Sequence, residues 1–214
     1  MPSEPRSIRS DLVWYVAYGS NCSTDRFDHY RLGGRPAGST RDHCGFRDPE
    51  VIGEPLPTRI THRLYFARES KVWGGGGVAF VATDRSETST RCVARQLSAR
   101  QLADLCSQEC GGGQAAAELD EAVRSLLADL DAGRLQPGAT RILPADGWYG
   151  CALVLDPIGD RPAVTLTSAE RSTPTRPADV YLDRIRAGLR EAGLEDHVVE
   201  DYLAVAQRGN IGAD

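Results

Sequence analysis

Two short stretches hold groups suited to acyl chemistry: Tyr18-Gly19-Ser20-Asn21 and Gln108-Glu109. The first follows the β-prone run Val13 to Ala17, so a strand would deliver exposed backbone amides to one point. Gly19 can take a positive φ at no steric cost, and Ser20 and Asn21 bond to their own backbone instead of continuing a ladder. Such a turn suits an anion or a developing oxyanion, although a plain strand end has the same composition. Glu109 falls at the last turn of a helix expected over Ala99 to Glu109, just ahead of the Gly111 to Gly113 run. The negative end of the helix dipole and partial burial both disfavour its anion, which is the direction a general acid/base needs. A solvated surface glutamate is the plain alternative.

Other chemistries find less support. The four histidines, His29, His43, His62 and His197, lie far apart, and no HExxH or paired Cys/His spacing gathers a metal site or the Asp/His cluster that a zinc deacetylase needs. No metal and no cofactor is expected. Cys22, next to the Tyr-Gly-Ser-Asn stretch, has a nucleophile's position but no neighbouring histidine to act as its base. Arg41, Arg47, Arg59 and Arg63 could meet an acidic leaving group or a substrate carboxylate, yet scattered arginines usually form a solvated face.

Composition narrows the class. The chain has 214 residues, 41% of them hydrophobic, enough for a sizeable core. Its net charge of −5 and lack of a cationic cluster argue against a nucleic-acid partner. Lys71 is the single lysine, a bias that points to a GC-rich coding genome. No run reaches membrane-spanning length, and Met1 to Asp11 has no apolar core of a secretory signal. Six cysteines without a CxxC pair fit free thiols, and a cytoplasmic location is expected.

The expected organisation is a flexible segment over 1–11 and a single α+β domain over 12–210 with a mixed or antiparallel sheet. A short helix is expected from Ser23 to Tyr30, then a long irregular crossing over 33–62. Strands are expected at His62 to Ala67, Gly77 to Thr83 and Thr90 to Leu97, with Ser98 capping the helix that ends at Glu109. A further helix spans about 115–132, with Leu119, Val123, Leu126, Leu127 and Leu130 on one face. Strands at Trp148 to Leu155 and Ala163 to Thr167 follow, and helices over Ala178 to Ala192 and Asp196 to Gln207 close the chain.

In order along the chain, these pieces resemble the γ-glutamylcyclotransferase-like proteins. The matching residues are Val16-Ala17-Tyr18-Gly19-Ser20-Asn21, Trp73-Gly74-Gly75-Gly76-Gly77-Val78-Ala79-Phe80, the helix ending Ser107-Gln108-Glu109, and Tyr181 within Pro177 to Leu182. Cys110 stands where the family pattern has glycine, and the helix over 115–132 is longer than in compact members. The resemblance implies a small barrel-like sheet with flanking helices and a cleft between the Tyr-Gly-Ser-Asn loop and Glu109. It implies a γ-glutamyl amide substrate whose α-amine attacks its own γ-carbonyl, giving 5-oxoproline and an amine. Glu109 would be the catalytic acid/base; Tyr18, Gly19, Ser20, Asn21, Gly75, Gly76 and Tyr181 would bind the substrate. Tyr18 and Tyr181 fit equally as packing tyrosines. An amide hydrolase or acyl-transfer enzyme on the same site, and a non-catalytic module that binds a small acid, are the alternatives. The leaving amine and the oligomeric state are not legible.

Overall fold

The computed structural model describes residues 12–36 and 41–211; the segment 1–11, expected to be flexible, lies outside the described residues. β1 (Leu12–Ala17) is buried along its whole length. It lies between β3 (Val78–Ser98), antiparallel to it, and β6 (Arg161–Thr167), parallel to it. A strand covered on both faces reads as an unbroken apolar run rather than an alternating one, as Leu-Val-Trp-Tyr-Val-Ala does. The six-stranded mixed sheet has the order β2-β3-β1-β6-β5-β4, with β2 at Ile52–Ala67, β4 at Thr140–Ile142 and β5 at Cys151–Ile158.

The mixed sheet with flanking helices is as expected, but it is open: β2 and β4 are its two edges and do not pair. At three residues, β4 offers too short a ladder to close a barrel. Two strand expectations are corrected. Gly77 to Thr83 and Thr90 to Leu97 belong to one strand, β3, whose polar middle continues the ladder with β2 through His62 opposite Arg85 and Ile60 opposite Thr90. That middle is mostly exposed, so it lacks the alternation that marks a half-buried strand. The crossing expected over 33–62 ends at Ile52, where β2 begins. Pro55 and Pro57 argue against a central strand, but β2 is an edge, where a missing N–H donor is tolerated.

The helices follow the sequence closely: α1 (Thr24–Leu32), α2 (Ala99–Glu109), α3 (Ala117–Asp131), α4 (Asp179–Glu191) and α5 (Asp196–Ile211). Ser98 caps α2 through a reciprocal box, its Oγ accepting from Gln101 N at 3.2 Å while Gln101 Oε1 accepts from Ser98 N at 3.0 Å. Gln101 also donates to the carbonyls of Asp48 and Glu50, tying the preceding loop to the start of α2. α4 packs on the 3-10 turn Ser20–Cys22. Gly188 makes this approach possible, since a Cβ there would lie 2.2 Å from the backbone of Cys22 and Ser23. Glu191 of the same helix accepts from Thr24 N at 2.7 Å, an anion at the positive end of α1.

Candidate active site

The carboxyl of Glu109 meets the loop that follows β1. Asn21 Nδ2 donates to Glu109 Oε1 at 2.5 Å and to the Tyr15 hydroxyl at 3.2 Å, so one amide bridges the end of α2 to β1. A carboxylate only accepts, so the amide must turn its nitrogen to Glu109. Asn21 Oδ1 is left buried without a partner. The two stretches singled out from the sequence are therefore in direct contact.

Gly19 is needed for a reason other than the one expected. Its φ is −113°, which any residue adopts, but a Cβ would come within 2.9 Å of the Tyr181 hydroxyl and 3.2 Å of Ala79 Cβ. The hydroxyl of Tyr181 accepts from Ala79 N at 3.0 Å and takes a second backbone hydrogen bond from Ser20. The Tyr149 hydroxyl donates to Ala79 O at 2.9 Å, so two tyrosines hold the N–H and the C=O of one residue at the start of β3. Tyr18 donates to Leu166 O at 2.7 Å.

Five phenols thus surround one carboxylate. Tyr15, Tyr18, Tyr30, Tyr149 and Tyr181 are all held in the protonated form, first by burial and further by the negative charge of Glu109. For Tyr181 the value is pushed up to about 12. Neutral phenols beside an anion are hydrogen-bond donors, not competing bases. Tyr15, Tyr30 and Tyr149 were not among the sequence candidates. The strand expected from Trp148 begins only at Cys151, as β5, so Trp148 and Tyr149 stand in the loop before it. For Tyr30 the available signal was its spacing from Arg26: one turn apart on α1, they join through Arg26 Nη2 donating to the Tyr30 hydroxyl at 2.6 Å.

A cleft of about 480 Å³ opens beside Glu109, bordered by Ser20, Tyr30, Trp73, Trp148, Tyr149 and Tyr181 among others. A chamber of about 40 Å³ lies behind it, between Tyr15, Tyr18, the Gly19 to Asn21 loop and Glu109. On the flank, His43 is buried between Arg26 Nη1, 3.1 Å from its Nε2, and Gln108 Oε1, 3.2 Å from its Nδ1. Burial and then the Arg26 charge lower its pKa to about 4, so the ring is neutral, accepting at Nε2 and donating at Nδ1.

Gly75 and Gly76 lie outside the cleft lining. The glycine run instead seats the turn after β2: a Cβ on Gly76 would lie 2.8 Å from Ala178 N, and one on Gly77 2.3 Å from Thr175 O. The wall is Trp73, whose ring is 5.5 Å from that of Tyr181. Of the four arginines read as scattered, Arg41 lines the cleft and donates to Gly112 O. Arg47 is no solvated charge; it pairs with Asp104 at 2.8 Å and Asp120 at 2.6 Å. Cys22 is 1% exposed, its thiol pushed up to about 12 by burial, which removes it as a nucleophile. All six cysteines are free thiols. Among the described residues no group of three or more His, Cys, Asp or Glu side chains is placed to hold a metal ion, and no helix is long and apolar enough to cross a membrane.

Comparison with solved structures finds a γ-glutamyl cyclotransferase at a TM-score of 0.54 and 16% identity, covering 90% of this chain and 87% of that one. An uncharacterized human protein aligns at a TM-score of 0.49 and 16% identity over 91% of this chain and 88% of its own. The first likeness shows that the chain has the γ-glutamyl cyclotransferase fold. No family model matches the sequence. Among curated proteins, histone deacetylase 5 of Arabidopsis thaliana is 33% identical over 221 residues, which is 94% of this chain. The chain spans about a third of that protein's length, 32%.

Proposed function

We propose that the protein is a γ-glutamylcyclotransferase-like enzyme that releases an amine from a γ-glutamyl amide by internal cyclisation to 5-oxoproline. The observation that carries this reading is the grip of Asn21 on Glu109 at the base of the cleft. In the proposed reaction the substrate's α-ammonium gives a proton to Glu109, and the freed amine attacks the γ-carbonyl carbon. A C–N bond forms within the substrate, the amide C–N bond breaks as Glu109 returns the proton to the departing amine, and the second proton shed by the ring nitrogen follows the same route, so the amine leaves as its ammonium. No water is consumed and no enzyme nucleophile takes part. Nucleophile and electrophile share one molecule, so the protein's task is to fold the substrate and manage charge, and orientation can supply about 7–11 kcal/mol.

Each group has a part suited to its surroundings. Asn21 and the Tyr30 hydroxyl both donate to the Glu109 carboxyl, and its remaining lone pairs take the proton. Tyr181, whose oxygen accepts from the Ser20 and Ala79 amides, has its O–H to offer to the oxyanion, and one such donor is worth about 2.7–4 kcal/mol. Nothing at the site favours the deacetylase activity named for the Arabidopsis protein, which matches over a third of its length. A cytoplasmic location and a metal-independent reaction belong to the same proposal.

The test is incubation of the purified protein with a panel of γ-glutamyl amines and dipeptides, with mass spectrometry for 5-oxoproline and Glu109→Gln as the control. Release of 5-oxoproline by wild type alone supports the reading. Release of glutamate instead points to a hydrolase, and equal turnover by both proteins removes Glu109 from its role.

A further inference from the structure

The cleft is larger than the acyl half of the substrate requires. About 480 Å³ is within the range, roughly 300–1,000 Å³, that encloses a drug-sized ligand, whereas the chamber behind Glu109 measures about 40 Å³. Glu109 borders both spaces, so most of the volume is in the cleft, where a departing amine would sit. Two indoles line it. Trp73, 8% exposed, comes from the turn after β2, its ring 5.5 Å from that of Tyr181. Trp148, partly exposed, comes from the loop before β5, and the Arg68 guanidinium covers its ring at 5.7 Å.

Arg68 has a φ of 65°, the one non-glycine in the left-handed region among the described residues. Such a conformation persists where its surroundings hold it. Here it turns the chain out of β2 and into the Trp73 wall while its side chain covers Trp148. Besides Glu109, the charged side chains lining the cleft are Arg26, Arg41, Glu69 and Lys71. Glu69 and Lys71 at the rim are exposed and opposite in sign, Arg41 donates to Gly112 O, and Arg26 is turned onto Tyr30 and His43.

Building on the cyclotransfer reading for the acyl half, we infer that the leaving amine carries an aromatic or similarly bulky apolar group, received by Trp73 and Trp148 as the specificity-determining residues. The bond that breaks joins this amine to the γ-carbonyl, and the amine leaves with the proton relayed by Glu109. A ring of this kind gains contact area against indole surface without having to bury a charge.

The measurement is kcat/KM for four γ-glutamyl amides matched in their acyl half: those of ethylamine, phenethylamine, alanine and putrescine. The phenethylamide should exceed the ethylamide by about tenfold or more, the range that apolar pocket contacts supply. Trp148→Ala should lower turnover of the phenethylamide several times more than that of the ethylamide. A preference for the alanine or putrescine amide, or a wild-type phenethyl-to-ethyl ratio near one, overturns the inference. Calorimetry of free phenethylamine and ethylamine on wild type and Trp148→Ala separates the two proposals. If no amide is cleaved but phenethylamine binds more tightly than ethylamine in a Trp148-dependent manner, the aromatic subsite stands and cyclotransfer falls. If all amides are cleaved at similar rates and neither amine is preferred, cyclotransfer stands and the aromatic subsite falls.

Discussion

Asp104 and Glu109 are carboxylates on the same helix, α2, and the structure treats them in opposite ways. The Asp104 side chain has no exposed surface and is fully occupied: it accepts from Arg47 N at 2.9 Å, Arg47 Nε at 2.8 Å and Ala115 N at 3.0 Å. Asp120 takes the rest of the Arg47 fork, at 2.6 and 2.7 Å, and that guanidinium holds the Asp120 carboxyl below its ordinary range. Glu109 is half-buried at the end of the helix, held by Asn21 and the Tyr30 hydroxyl with no cation paired to it in these contacts, and faces a cleft. The difference teaches that a carboxylate whose lone pairs are spent on cations and amides is structural, while one held but not saturated is available for a proton.

The largest effect that would break this contrast is at Glu109 itself. Glu109→Gln keeps the acceptor for Asn21 but loses the base, and turnover of a γ-glutamyl amide should fall by about 10²- to 10⁴-fold with an unchanged melting temperature. Asp104→Leu should do the reverse. Removing one partner of a buried pair costs about 3–5 kcal/mol, so urea unfolding should shift strongly, while the folded fraction keeps much of its activity. If Asp104→Leu proved stable and Glu109→Gln unstable, the two roles would have to be exchanged.

A gentler probe approaches the site from behind. Gly188→Ala places a methyl against the backbone of Cys22 and Ser23, and overpacking of this kind costs about 1–3 kcal/mol. Because the strain falls on the loop bearing Asn21, the variant should lose activity as well as stability, and an activity equal to wild type would uncouple α4 from the site. The smallest effect concerns pH. His43 is neutral in the fold down to about 4, while in the unfolded chain it takes up a proton near 6.5. Unfolded protein therefore binds a proton that folded protein refuses, so stability is full above 6.5 and declines as pH falls through that window. Melting temperatures measured between pH 7 and 5 should fall less steeply for His43→Gln than for wild type, and parallel curves would show that another group governs the decline.

Much of the fold was legible because local chemistry wrote it. Ser98 and Gln101 form a capping box visible in the sequence, and α2 begins and ends where that box and the glycine run place it. α3 and α4 follow their apolar spacing to within a residue or two. The long strands were not legible, because the polar middle of β3 and the proline-bearing start of β2 are shaped by an exposed edge rather than by burial. Tyr18, Ser20, Asn21, Glu109 and Tyr181 line one chamber, whereas Gly75 and Gly76 lie outside both it and the cleft. Tyr15, Tyr30 and Tyr149 could not be read, since each comes from a different element and nothing local marks its hydroxyl as facing Glu109.

The sequence by itself determined the helices and the two stretches that meet at the candidate site, because caps, apolar periods and turn residues act over a few positions along the chain. Only the tertiary structure decided what those groups do to one another. The bond from Asn21 to Glu109, the ring of five tyrosines, the need for glycine at 19 and 188, and the saturation of Asp104 by Arg47 join residues far apart in the chain. Such contacts depend on close approach and on the exclusion of water, and neither is encoded in the spacing of residues along a single segment.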